Sequence, residues 1–162
     1  MVVNTKNANV VPLRTAKTDS KSSEKKWGKA VCDLGFSIMP SLIFRAQARL
    51  GLNATQLAVL LQLADYWWDS ERHPYPSKTT LGERLQLGPR QVQRYITELE
   101  AAGFVQRIER YATHKGRLSN QYNLSGLVAK LKKLEPEFRK VAEEKKQVSR
   151  RGGLRNKTTE GQ

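Results

Sequence analysis

Apolar positions recur at helical spacing through the middle of the chain, and glycine, proline and capping residues cut them into elements. Phe36 to Met39 is a short apolar piece ahead of Pro40. From Ser41, the residues Leu42, Ile43, Ala46 and Leu50 share one side of a helix that Gly51 closes. Asn53, with Gln56 three residues on, is an N-terminal capping pair for a helix running to about Trp68. Leu57, Leu60, Ala64 and Trp67 form its apolar stripe, and Leu61 and Trp68 widen it. A surface that broad predicts packing on more than one side. Tyr66, Trp67 and Trp68 are therefore expected in the core rather than as a platform for stacked bases.

His73-Pro74-Tyr75-Pro76 forbids a continued helix. Ser77 then caps a helix over Lys78 to Leu85, with Leu81 and Leu85 on its apolar side. Gln86-Leu87-Gly88 is a tight turn. Pro89 suits a first helical position, where a missing N–H costs nothing. The next helix runs to Ala102, with Val92, Ile96 and Leu99 on one face, and Gly103 ends it. Two helices joined by a short glycine-containing turn are a helix-turn-helix arrangement.

Phe104 to Tyr111 has strand composition, and Asn120 to Leu124 alternates as a returning strand. Between them His114-Lys115-Gly116-Arg117 is a turn with cations at its tip. A hairpin placed directly after the second helix is a wing. Ser125 caps a last helix in which Leu124, Leu127, Leu131, Leu134, Phe138, Val141 and Val148 follow 3-4-3-4-3-7 spacing, a heptad stripe. Leu127, Leu131, Leu134, Phe138 and Val141 are candidates for pairing with a second copy; packing back on the same domain is the other reading. Pro136 is expected to kink this helix or to restart it.

Composition and charge narrow the partner. The 162 residues carry 29 Lys and Arg against 15 Asp and Glu, a net charge of +14. So basic a balance predicts a polyanionic partner. The excess is +4 over residues 1–35, +4 over 36–125 and +6 over 126–162, so it concentrates toward the ends. Met1 to about Lys29 has few large apolar residues and is expected to be a flexible basic arm. Residues 150–162 are expected to be a disordered basic tail. Either end fits a solubilising tail or an arm that tracks phosphates, and the basic sign favours the second. One cysteine, Cys32, excludes an internal disulfide. No apolar run reaches the roughly 18 residues of a membrane span. A secretory start is not evident, and a cytoplasmic, nucleoid-associated location is expected.

The second helix of the pair divides its labour. Val92, Ile96 and Leu99 can anchor it, leaving Arg90, Gln91, Gln93, Arg94 and Thr97 to face outward. Arginine reads guanine and glutamine reads adenine by paired hydrogen bonds in the major groove. A helix N-terminus also favours nearby phosphate. Lys115 and Arg117 can reach a flanking phosphate or the minor groove. His114 is expected to be a hydrogen bonder at the wing tip. No phosphate-binding glycine loop, nucleophile triad or metal cluster is present, so no enzyme activity and no cofactor are expected. Asp65, Asp69 and Glu71 lie close in sequence, but an exposed helix end explains them better than a metal.

At this point the residues resemble a family. Tyr75-Pro76-Ser77-Lys78-Thr79-Thr80-Leu81-Gly82-Glu83-Arg84-Leu85 resembles the first helix of a bacterial winged helix-turn-helix module. Arg90 to Ile96 followed by Leu99-Glu100-Ala101-Ala102-Gly103 resembles its recognition helix and exit. Ser119 to Leu124 resembles the strand that closes its wing. The resemblance covers about Phe36 to Leu127. Such modules occur in transcriptional regulators and in plasmid or phage replication proteins. Gly82 stands where the family usually has alanine, which implies a slightly looser first helix.

The expected fold is mainly α with a small β-hairpin, a winged helix-turn-helix with an extra C-terminal helix. Its divisions are an arm over 1–33, the winged domain over 34–125, the helix over 126–148 and a tail over 149–162. The expected partner is double-stranded DNA, with a homodimer through the last helix and no membrane. The contact set comprises Ser77, Lys78, Thr79, Pro89, Arg90, Gln91, Gln93, Arg94, Thr97, His114, Lys115 and Arg117. A transcriptional regulator leads, ahead of a plasmid or phage replication protein and of a protein-interaction adaptor.

Overall fold

The computed structural model describes residues 16–113, 116, 118–150 and 152, with side chains from residue 22 onward. It divides into two units, 1–38 and 39–162.

In the first unit, α1 (Ala16–Trp27) and α2 (Lys29–Asp33) lie within the stretch read as a flexible basic arm. Local terms suffice to wind them. Ala, Lys and Glu are good helix formers, and Lys25 and Lys26 occupy the last turn of α1, where cations suit the helix dipole. Lys29 pairs with Asp33 one turn on, at 2.8 Å. Gly28, at φ 89°, parts the two helices. α2 buries no residue, and Leu34 and Ile38 are about nine-tenths exposed. The rest of the expected arm, residues 1–15, and nearly all of the tail lie outside the described residues.

The second unit is built in the order α3 (Ser41–Arg45), α4 (Gln47–Leu50), α5 (Ala54–Asp65), α6 (Lys78–Leu85), α7 (Pro89–Ala101), β1 (Gln106–Ile108), β2 (Gln121–Asn123) and α8 (Ser125–Arg150). The strands pair antiparallel, with Arg107 opposite Tyr122. Ile43, Leu52, Leu57, Leu60, Leu63, Leu81, Val92, Ile96, Leu99, Phe104, Tyr122, Leu124 and Leu127 share one core.

α5 begins as its sequence predicts. The Asn53 side chain accepts from the Gln56 N–H at 2.8 Å, and the Gln56 side chain accepts from the Asn53 N–H at 3.1 Å. Several details differ from expectation. The single helix expected over 41–50 is two, parted at Ala46, which is fully buried and leaves the helical region at φ −93°, ψ 4°. α5 stops at Asp65. Trp67 then packs on the core, but Trp68 is 75% exposed and is not a core residue.

Gly82 is not a loosening of α6. It is buried, and a Cβ there would lie 2.4 Å from the Leu87 carbonyl oxygen. The bare backbone lets the turn fold back so that the Leu87 N–H donates to the Gly82 carbonyl at 2.8 Å. Gln86 makes this possible in the left-handed region, at φ 55°. The expected break at Pro136 is also absent as a restart: α8 is one continuous helix with Pro136 inside it. Pro136 cannot donate to the Lys132 carbonyl four residues back. Both residues are exposed, so water can take that carbonyl. Ser125 is the first residue of α8 rather than its cap, and its N–H donates to the Asn123 side chain at 2.9 Å.

Candidate nucleic-acid interface

α6, the Gln86–Gly88 turn and α7 are locked together before any side chain reaches solvent. The Ser77 hydroxyl accepts from the Thr80 N–H at 3.0 Å and caps α6. Arg84, in its last turn, reaches Asp65 at 2.9 Å and Gln62 at 3.1 Å, and its guanidinium lies over the Tyr66 ring at 4.6 Å. Asp65 thus serves the α5–α6 junction. Among the described residues, no group of His, Cys, Asp or Glu is arranged to hold a metal. Val92, Ile96 and Leu99 seat α7 in the core with almost no exposure, and Gln56 of α5 donates to Glu98 at 3.0 Å.

The opposite face of α7 is open. Pro89, Arg90, Gln91, Arg94 and Thr97 are exposed and Gln93 is half-buried. Arg94 keeps much of its side chain in solvent while approaching Glu98 at 3.7 Å and the Tyr95 ring at 5.2 Å. Gln91 turns back to accept from the Gly88 N–H at 2.9 Å, so it serves as an N-terminal cap. Lys78 donates to the Gln93 carboxamide oxygen at 2.9 Å, across from the start of α6. The Gln93 amide approaches Thr97 Oγ1 at 3.4 Å, and that hydroxyl donates to the Gln93 carbonyl at 2.9 Å.

The hairpin is fastened to the end of α7 through Glu100. The Arg107 N–H donates to Glu100 Oε1 at 3.0 Å and Arg107 Nε to Oε2 at 2.7 Å. These hydrogen bonds hold the Glu100 carboxyl below the usual carboxylate range, against the opposing effect of burial. On the other strand Tyr122 is buried in the core, which pushes its phenol up. Its N–H donates to the Pro74 carbonyl at 2.9 Å, tying the wing to the segment ahead of α6. His114, Lys115 and Arg117 lie outside the described residues.

Two clefts flank the start of α6. One, of about 330 Å³, is lined by Ser77, Lys78, Thr79 and Pro89 on one side and Leu118, Ser119 and Asn120 on the other. The second, of about 310 Å³, is lined by Lys78, Gln93, Glu100, Arg107, Glu109 and Asn120. The structure thus brings Ser77, Lys78, Thr79, Pro89 and Gln93 together beside the wing. Sequence reasoning missed Asn120, which lines both clefts. Its polar side chain at the foot of the returning strand was the available signal.

The α8 stripe splits in two. Leu127 is in the domain's own core and Leu131 packs against it. Leu134 and Phe138 are half-buried, and Phe138 lies under Arg45 of α3 at 5.6 Å. Arg49 and Glu137 pair at 2.7 Å. Val141 and Val148 are nearly half exposed. No described helix is long and apolar enough to cross a membrane.

A helix pair with a buried turn, an outward polar face on its second helix and a hairpin fastened behind it define a winged helix-turn-helix, a DNA-binding class of domain. Residues 50–105 match the family model described as a helix-turn-helix domain. No curated protein matches the chain. Among solved structures, the N-terminal domain of the DnaD protein from Geobacillus kaustophilus HTA426 is similar, with 21% identity and a TM-score of 0.47 over 80% of this chain and 97% of that one. A possible transcriptional regulator from Methanosarcina mazei Go1 has 18% identity and a TM-score of 0.40 over 62% of this chain and 82% of that one.

Proposed function

We propose that this chain binds double-stranded DNA sequence-specifically and regulates transcription, with α7 reading base edges in the major groove. The observation that carries this is the division of α7. Val92, Ile96 and Leu99 are sealed in the core while Arg90 and Arg94 stand in solvent at the open end of the helix. Ser77, Lys78 and Thr79 at the start of α6 suit a phosphate beside the groove. Lys115 and Arg117 would extend the backbone contacts from the wing. The domain acts by binding and carries no reaction of its own. Pairing with a second copy falls to the distal part of α8, where Val141 and Val148 are exposed, because Leu127 and Leu131 already have partners in the domain.

Selection of bound duplexes from a random pool tests this reading. A two-fold symmetric motif is expected, since half-site symmetry mirrors that of a protein dimer. Arg94→Ala should relax the preference at one or two base pairs at a cost of about 1–3 kcal/mol, whereas Lys115→Ala should weaken all sequences alike. Equal effects of both variants on selected and random DNA would remove α7 from the base-reading role. Tandem repeats at an origin in place of a palindrome would assign the same module to replication.

A further inference from the structure

α8 carries one apolar stripe with two uses. Leu127 lies in the domain's core and Leu131 packs against it. Phe138, two residues beyond Pro136, still lies under Arg45 of α3, so the proline does not turn the stripe away from the domain. Val141 and Val148 follow three and ten residues later on the same face. They are 47% and 45% exposed. The side of α8 that a second copy must approach is therefore the side on which the helix's own domain sits.

That constrains the direction of the second copy. Packed helices lie about 8–10 Å apart. In a parallel pair the two stripes would face each other from their first turns, and both winged domains would have to fit into that gap. Splaying the helices to clear two domains over the about 21 Å between Leu127 and Val141 would leave roughly one turn in contact. An antiparallel pair has no such conflict, because only the distal halves overlap and the domains stand at opposite ends. Lys145 gives an independent reason. It follows Val141 by four residues and precedes Val148 by three, so it takes the a position between two valines at d. In parallel order two Lys145 ammonium groups would meet across the axis. In antiparallel order each lysine stem lies against Val141 of the other copy while its exposed head stays in water.

We propose that two copies of this chain pair antiparallel through the distal half of α8, with Phe138 of one against Val148 of the other, Val141 against Lys145, and the two-fold axis at Glu143. This rests on the reading that copies pair through distal α8, and it adds their orientation. The overlap from Phe138 to Val148 is about 15 Å long, so the interface is small and the dimer forms reversibly.

The test uses the full chain with Cys32→Ser, in sedimentation equilibrium and under mild oxidation. A reversible monomer–dimer equilibrium is expected. A mixture of Val141→Cys and Lys145→Cys forms should give a mixed disulfide dimer, resolved by mass. Its yield should exceed by about tenfold that of Val148→Cys alone, whose sulfurs would lie about 15 Å apart along the axis, beyond disulfide reach. Efficient self-linking of Val148→Cys would overturn the antiparallel order and leave pairing through α8 standing. A chain that stays monomeric at sub-millimolar concentration and yields no linked dimer would overturn the pairing itself; enrichment of a specific duplex by that monomer would still leave α7 its base-reading role.

Discussion

Gly82→Ala should weaken the domain although alanine is the better helix former. The added methyl would sit 2.4 Å from the Leu87 carbonyl oxygen, about 1 Å inside ordinary contact. The obstacle is backbone in a turn held by the Leu87 N–H to Gly82 carbonyl bond, so no rotamer change relieves it. Overpacking of this kind costs about 1–3 kcal/mol, occasionally more, and the gain in helix propensity offsets at most about 1 kcal/mol. A net loss of about 1–2 kcal/mol lowers Tm by roughly 4–8 °C in a domain of this size. Urea unfolding followed by tryptophan fluorescence reads it directly. Gly88→Ala, in the same turn, meets nothing nearer than the Gln91 side-chain oxygen at 3.6 Å. It should cost less than about 1 kcal/mol, the scale of an N-cap change. A Gly82→Ala protein with an unfolding midpoint at or above that of the wild type would refute the argument that the turn needs a bare backbone.

Two further outcomes are expected. The Glu100 carboxyl titrates lower in the folded chain than in the unfolded one. Its contribution is therefore complete above the ordinary carboxylate range and lost as pH falls through the depressed folded value. The stability gap between wild type and Glu100→Gln, from urea midpoints, should be widest near neutrality and close on acidification; a gap independent of pH would break the assignment. If about six cations meet phosphates, affinity for a selected duplex should fall roughly a thousandfold between 50 and 200 mM salt, and a flat response in a filter-binding titration would remove the phosphate contacts.

Much of the architecture could be read from residue order because local and tertiary preferences agree there. Asn53 with Gln56, Ser77 ahead of Lys78, and Pro89 at a helix start are local signals, and the structure uses each at the expected place. The Val92, Ile96 and Leu99 stripe has a period that admits one burial pattern. The misreadings occur where a distant contact decides. Gly82 looks like a weak helix residue until Leu87 is seen folded against it. Trp68 belongs by spacing to the α5 stripe, but the helix ends three residues before it. Pro136 threatens a helix interior, and only the exposure of its face shows why the helix continues. At the candidate interface, the outward residues of α7 were legible as a set. The internal engagement of Gln91 and Gln93 was not, because Lys78 is fifteen positions away from Gln93 and on another helix.

α8 takes its origin from the exit of α7. A Cβ on Gly126 would lie 2.2 Å from the Gly103 carbonyl oxygen, and the Leu127 N–H donates to the Phe104 carbonyl at 3.0 Å. From that root its 26 residues, at 1.5 Å each, extend about 39 Å. Midway along, Arg45 over Phe138 and the Arg49–Glu137 pair brace it against α3 and α4. The turns beyond Phe138 are mostly exposed, so a load on that end meets the brace at α3 and α4 before it meets the root of the helix.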